Sequence, residues 1–203
     1  SIIYEKDVEG YHYWSPISFK WDSKGFTKGH LLRSDDRRGA GQTINIQTFY
    51  PTNIAPEEFV YPDIHAELEG LLSDEWICRD TIYVVSGCWY DDTEVYEAWD
   101  ASSWGNTTQD SKKCQVPNYQ YKVYLRTKSG NTGKPIQECS AGELTAIGFW
   151  LPQGPASTSE APALSTFARS VDEIERLTGG EFEFFPEAPD EVTASCDLAD
   201  WGL

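Results

Sequence analysis

Three stretches of the chain are continuous, or nearly so, in apolar and aromatic residues: TIYVVSG (81–87), YQYKVYL (119–125) and TAIGFWL (145–151). Runs of this length and β-branched content predict strands, the first and last in buried central positions, and together they form the expected core sheet. A different period begins at Pro62. In PDIHAELEGLLSDEW, proline stands at a first helical position and Ile64, Leu68, Leu71 and Leu72 recur at helical spacing, so the pattern predicts a helix over 62–76. A second helix, SVDEIERLTG (170–179), is punctuated at both ends. Ser170 and Glu173 form a capping box, Gly179 supplies a left-handed C-terminal residue, and Val171, Ile174 and Leu177 make the apolar face.

Shorter signals fill the rest. KGHLLRS reads as a short strand, DDRRGAGQT as an irregular loop, the β-branched and aromatic INIQTFY as a second strand, and EFEFFPEAP as a last strand. The order from residue 26 to 76 is thus strand, loop, strand, turn, helix. Residues 1–20 alternate aromatic and polar groups as an edge strand or ordered arm does, and His12 there reads as a packing or surface residue. The polar stretches 90–113 and 128–143 are loops on the scaffold, and the proline-rich 152–165 is a surface connection. No repeat or flexible linker divides the sequence, so residues 1–203 are expected to form a single domain.

Composition narrows what such a fold acts on. Apolar residues make up 39% and aromatic residues 14%, a globular content. With 33 acidic against 16 basic residues the net charge is −17, which repels nucleic acid, anionic membranes and acidic glycans at long range. A polyanionic substrate must therefore be held locally, by a short basic stretch or a bound divalent cation. No apolar run approaches the roughly 20 residues that cross a bilayer. The sequence opens at Ser1 and contains no Met, as a processed or trimmed product does. Its five cysteines, Cys78, Cys88, Cys114, Cys139 and Cys196, show no zinc spacing; they fit an exported protein, secreted, periplasmic or at the cell surface, with one or two disulfides. The Asn106-Thr107-Thr108 sequon has meaning only in a eukaryotic secretory host.

The candidate chemistry starts at His30, one of three histidines, in FTKGHLLRSDDR. A histidine between glycine and leucine is by itself a weak signal, which favours a polar structural residue at a strand end over a catalytic base. Its surroundings favour the base. KGHLLRSDDR, QTFYPTNIAPE, a helix containing HAELE and the strand DTIYVVSG occur in that order. Together they resemble the DNA/RNA non-specific endonucleases of the ββα-metal superfamily, whose hallmarks are D-R-G-H, T-F-x-x-S-N-x-x-P-Q and a helix reading F-N-x-x-x-W-x-x-L-E. The later segments VPNYQYKVYLRT, AIGFWLP and SVDEIERLTGGEFEFFP extend the resemblance over roughly residues 20–190.

The resemblance implies an α+β fold: a mixed α/β sandwich with a central antiparallel sheet and a ββα-metal finger element over residues 26–76. It implies hydrolysis of phosphodiester bonds in DNA and RNA, with Mg²⁺ or Mn²⁺ as cofactor and His30 as the general base that activates water. Phosphodiester hydrolysis needs a base, a cation opposite the developing charge, and donors that hold the phosphate in line. By the same resemblance Asn53 lies beside metal and substrate and Arg37 matches an arginine of the site, while Lys28, Arg33 and Arg38 are further phosphate contacts.

Two positions depart from the motifs. Thr27 stands where D-R-G-H has Asp, removing an acceptor that organises the motif. Aligned on Leu68-Glu69, the helix motif's Trp falls at His65 and its metal-binding Asn at Tyr61 or Pro62. Glu69 then becomes the first candidate metal anchor and Asp63 the second, with helical spacing allowing Asp63 to converge with Glu67, or His65 with Glu69, on one ion. An alternative reading is a nuclease-like binding or structural module that has lost the ligand; cleavage of plasmid or RNA separates the two.

Overall fold

A computed structural model describes residues 27–91, 96–97, 115–154 and 156–203. The chain forms two compact units. One comprises Ser1–Glu58, Tyr90–Asn118 and Gln153–Pro155; the other comprises Phe59–Trp89, Tyr119–Pro152 and Ala156–Leu203. The expected N-terminal arm, and most of the loop expected over 90–113, lie outside the described residues.

The first unit is built on a two-stranded antiparallel ribbon, β1 (Thr27–His30) against β2 (Ile54–Glu57). The excursion between the strands is helical. A 3₁₀ turn (Asp35–Ala40) is followed by α1 (Gln42–Asn45), then by 3₁₀ turns over Ile46–Phe49 and Pro51–Asn53. INIQTFY is therefore not the second strand, which comes one turn later. Its β-branched residues find no ladder, and Ile44 and Ile46 stay 42% and 40% exposed. Local side-chain bonds win instead: Thr48 Oγ1 donates to the Asn45 carbonyl (2.8 Å) and Asn45 Nδ2 to the Ser34 carbonyl (2.6 Å). Among the described residues this unit also has a minimal pair, β4 (Tyr96–Glu97) with β5 (Gln115–Val116).

The second unit carries a sheet of four antiparallel strands in the order β3 (Tyr83–Trp89), β6 (Tyr119–Thr127), β7 (Leu144–Pro152), β8 (Ala168–Arg169). TAIGFWL lies inside it as expected, but TIYVVSG, expected in a buried central position, forms an edge strand of this sheet, with Val84 36% exposed. The faces of the sheet are covered separately. α2 (Pro62–Asp74) lays Ile64 and Leu68 on one face, in a cluster with Tyr124, Ile147, Phe149, Trp76 and Trp201. α3 (Val171–Leu177) lays Val171 and Ile174 on the other, against Val123, Leu125 and Ala146. Gly148 of β7 is needed here for space, since a Cβ would lie 2.6 Å from Ile174 Cγ1. The fold is the expected α+β arrangement with a central antiparallel sheet.

Both helices end close to their sequence signals. α2 stops at Asp74, and Trp76 turns in to donate its indole N–H to the Trp201 carbonyl (2.9 Å). At α3 the Ser170 side chain accepts from the Glu173 backbone (3.1 Å), and Gly179 follows with φ 88°. EFEFFPEAP forms no strand. The Phe184 N–H is taken by the Glu175 carboxylate (2.7 Å), so no ladder is available to it. A short α4 (Asp190–Thr193) follows.

Cys78, Cys139 and Cys196 carry free thiols, and no disulfide joins the described cysteines. The expected one or two disulfides are thus not found among the described residues; Cys114 lies outside them. No helix among the described residues is long and apolar enough to cross a membrane.

Candidate active site

In the first unit His30 ends β1. The register pairs His30 with Ile54 and Gly29 with Ala55, and the imidazole meets Phe49 edge-on, with ring centroids 5.3 Å apart. What fixes the chain as it leaves His30 is Asn53. Its backbone carbonyl accepts from Leu31 N (3.0 Å) and its Oδ1 from Leu32 N (3.0 Å), while Nδ2 donates to the carbonyls of Leu32 and Thr48 (both 2.8 Å). Asn53 thus spends both ends of its amide on backbone, clamping the segment after His30 to the turn before β2. Those bonds satisfy both ends of the part-buried amide and hold the backbone on both sides.

The basic residues divide. Arg33 makes a forked pair with Asp36, Nη2 to Oδ1 at 2.6 Å and Nε to Oδ2 at 3.1 Å. Its guanidinium is therefore turned onto its own loop. Arg37, in the Asp35–Ala40 turn, is exposed and available to an incoming anion. Lys28 lies on β1 opposite Pro56; its side chain, like that of Arg38, lies outside the described residues.

In the second unit α2 brings His65 and Glu69 together, one of the two pairs that helical spacing allows, with Nε2 3.6 Å from Oε1. The same Oε1 accepts from Lys122 Nζ at 3.0 Å. Lys122 projects from the middle of β6 and its side chain is 4% exposed, against 27% for Glu69. The sequence hides this residue inside a strand pattern; the only clue is a lysine in a run whose other members are core residues. His65 is buried and stacks on Phe59 (centroids 4.0 Å, planes 20° apart), so its flat ring fills the place that the helix motif gives to an indole. Tyr61, where the motif has its asparagine, precedes α2 and turns its ring toward Phe167. Asp63 and Glu67 are exposed on α2. At about 100° per residue Asp63 points roughly 120° away from Glu69, so those two do not converge.

Among the described residues no group of three or more His, Cys, Asp or Glu side chains forms a cage for an ion. The donor set offers Glu69, one oxygen of which is already bonded to an ammonium. This fits a hard cation that keeps most of its own waters and meets the carboxylate through them, as Mg²⁺ does, and does not fit an all-protein cage.

A family model described as DNA/RNA non-specific endonuclease matches residues 6–191. The chain belongs to that family. Among solved structures, a chain in the crystal structure of the EndoG/EndoGI complex, solved for the mechanism of EndoG inhibition, aligns with a TM-score of 0.58 at 18% identity. The match covers 85% of this chain and 64% of that one, so the chain spans just under two thirds of the length of this structural relative. It shares that fold. No curated protein matches the sequence significantly.

Within the family's motifs, the structure also accounts for a residue that the sequence leaves unremarked. Glu57 ends β2 at the place where T-F-x-x-S-N-x-x-P-Q has Gln, and it is the cross-strand partner of Thr27.

Proposed function

We propose that the chain is a sequence-nonspecific endonuclease that hydrolyses phosphodiester bonds of DNA and RNA, with His30 as the general base. The observation that carries this reading is His30 at the end of β1, with the following backbone clamped by Asn53, in a chain of the non-specific endonuclease family. A neutral imidazole is the side chain suited to accept a proton from water near neutral pH. The water oxygen attacks phosphorus as its proton passes to the ring, the P–O3′ bond opens on the opposite side, and the departing 3′-oxygen takes a proton from solvent water. Of Arg33 and Arg37, the exposed guanidinium of Arg37 is the better suited to hold a non-bridging oxygen, because the fork of Arg33 is already filled by Asp36.

Mg²⁺ or Mn²⁺, when bound, supplies charge neutralisation at the phosphate and the leaving oxygen. Glu69 is the residue assigned to hold the cation's water shell, and Lys122 holds Glu69. Digestion of plasmid DNA and of RNA with Mg²⁺ or Mn²⁺, beside an EDTA control, tests the reading. His30→Ala should lower turnover by at least the roughly 10²-fold typical of losing a positioned base, with the thermal transition unchanged. Equal rates for His30→Ala and wild type would remove His30 from the mechanism.

A further inference from the structure

The β1–β2 ribbon holds two departures from the family motifs on a single rung. Position 27, where D-R-G-H carries a carboxylate, is Thr; its cross-strand partner, position 57, where the second motif ends in an uncharged Gln, is Glu. We propose that the motif's carboxylate has changed strands, and that Glu57 is a positioning residue for the nuclease site; the inference rests on the reading just given.

The geometry shows what Glu57 does there. Cross-strand and diagonal neighbours on one face of an antiparallel pair lie within side-chain reach. The diagonal neighbour of Glu57 on that face is Gly29, which pairs with Ala55. A Cβ built on Gly29 would lie 2.9 Å from Glu57 Cβ and 3.0 Å from its Cδ, with a carboxylate oxygen closer still. The Glu57 side chain is therefore laid across the ribbon, in the space that a glycine alone leaves open. Gly29 is not among the glycines with positive φ, so it is required at this point for room and not for an unusual backbone. Alternation puts Glu57 and the Gly29 position on one face and His30 on the other. The carboxylate thus braces the backbone behind the imidazole and sets the direction in which His30 leaves the strand, without touching the reacting atoms.

Two sets of variants in the full chain test this. In plasmid cleavage, Glu57→Gln should lower kcat about tenfold or more while leaving KM for DNA unchanged, because bracing affects the alignment of the base and not substrate contacts. Adding Thr27→Asp, which returns the acid to the other end of the rung, should restore kcat to within a few-fold of wild type. Thr27→Asp alone sets two carboxylates opposite each other and should lower the melting temperature. In thermal unfolding, Gly29→Ala should destabilise, and Glu57→Ala in the same chain should recover part of that loss, because the carboxylate and Cδ leave the space while the Cβ stays. The proposal is overturned if Glu57→Gln turns over as wild type does, if the Thr27→Asp/Glu57→Gln pair is no better than Glu57→Gln, or if the Gly29 and Glu57 substitutions are additive. A wild-type chain inert on both plasmid and RNA would overturn the nuclease reading itself, and with it any catalytic bearing of Glu57; the unfolding comparison would still report whether the two residues share that space.

Discussion

Asn53 and His65 show how one side chain is committed by its neighbours. The asparagine amide has a donor end and an acceptor end, and the segment Leu31–Leu32 beside Thr48 uses both. Asn53→Ala leaves the Leu32 N–H and two carbonyls without these partners, at about 1 kcal/mol for each bond lost. A destabilisation of roughly 2–3 kcal/mol is expected by denaturant titration, together with reduced turnover, because the chain leaving His30 is no longer held. Asn53→Asp keeps the acceptor toward Leu32 N and loses both donors, so it should fall between wild type and alanine; an Asp variant as unstable as alanine would count against the clamp. His65 makes the complementary point. Stacked on Phe59 and 3.6 Å from Glu69, it serves as a flat ring in the core as well as a neighbour of the carboxylate, a double role that no spacing rule in the sequence separates.

At the scale of elements, the ion pair between α2 and β6 is the most exposed to test. Lys122→Met removes the ammonium and leaves Glu69 partly buried beside it. Breaking a buried pair costs about 3–5 kcal/mol, and the partial exposure of Glu69 puts the expected loss at the lower end, or about 6–12 °C in melting temperature for a protein of this size. A loss of under 1 kcal/mol would show that the pair is solvated. The loop after β6 carries a second test. Asp80 accepts from Thr127 Oγ1, from Thr132 N and Oγ1 and from Gly133 N; these bonds, that from Thr127 first, hold its carboxyl well below the usual range. Glu143, bonded by Lys134 and by Ser140, is lowered from 4.5 to about 2. Both groups bind protons more weakly folded than unfolded, so their contribution is complete above the unfolded values near 4–4.5 and is lost as pH falls toward 2. Thermal melting should be flat from pH 7 to about 5 and then decline, and Glu143→Gln should make the acid decline shallower. The large elements were legible because their signals are long: three apolar runs, a leucine spacing from Pro62 and caps at Ser170 and Gly179. INIQTFY and EFEFFPEAP misled because β propensity is expressed only when a ladder is at hand, and here Thr48, Asn45 and Glu175 offered the backbone nearer partners. The place of His30 on a short strand was legible from its neighbours in sequence. The contacts of Lys122 and Glu57 were not, because each crosses between strands or from strand to helix, which only register and packing reveal.

For the whole molecule the net charge of −17 bears on the polyanionic substrate proposed above. The thiols of Cys78, Cys139 and Cys196 are a direct check on the covalent state: titration in denaturant without reductant should find at least three reactive groups, and fewer would mean that one of these is bridged. The charge itself makes a kinetic prediction. A basic nuclease loses affinity steadily as salt rises, because phosphate contacts release counterions. Here two terms oppose each other. The long-range field of an acidic chain repels DNA, and it is screened beyond a Debye length of about 30 Å at 0.01 M but about 10 Å at 0.1 M. Local contacts, by contrast, attract over a few ångströms and involve few cations, Arg37 among the described ones. Raising NaCl from about 10 to 100 mM at fixed Mg²⁺ should therefore first increase kcat/KM on plasmid DNA by a few-fold, as repulsion is screened, and further salt should lower it as phosphate contacts weaken. Arg37→Ala should depress the curve throughout and flatten its high-salt limb, since one fewer phosphate contact remains to be screened. A monotonic fall from the lowest salt onward would show that a local basic surface governs encounter despite the overall sign.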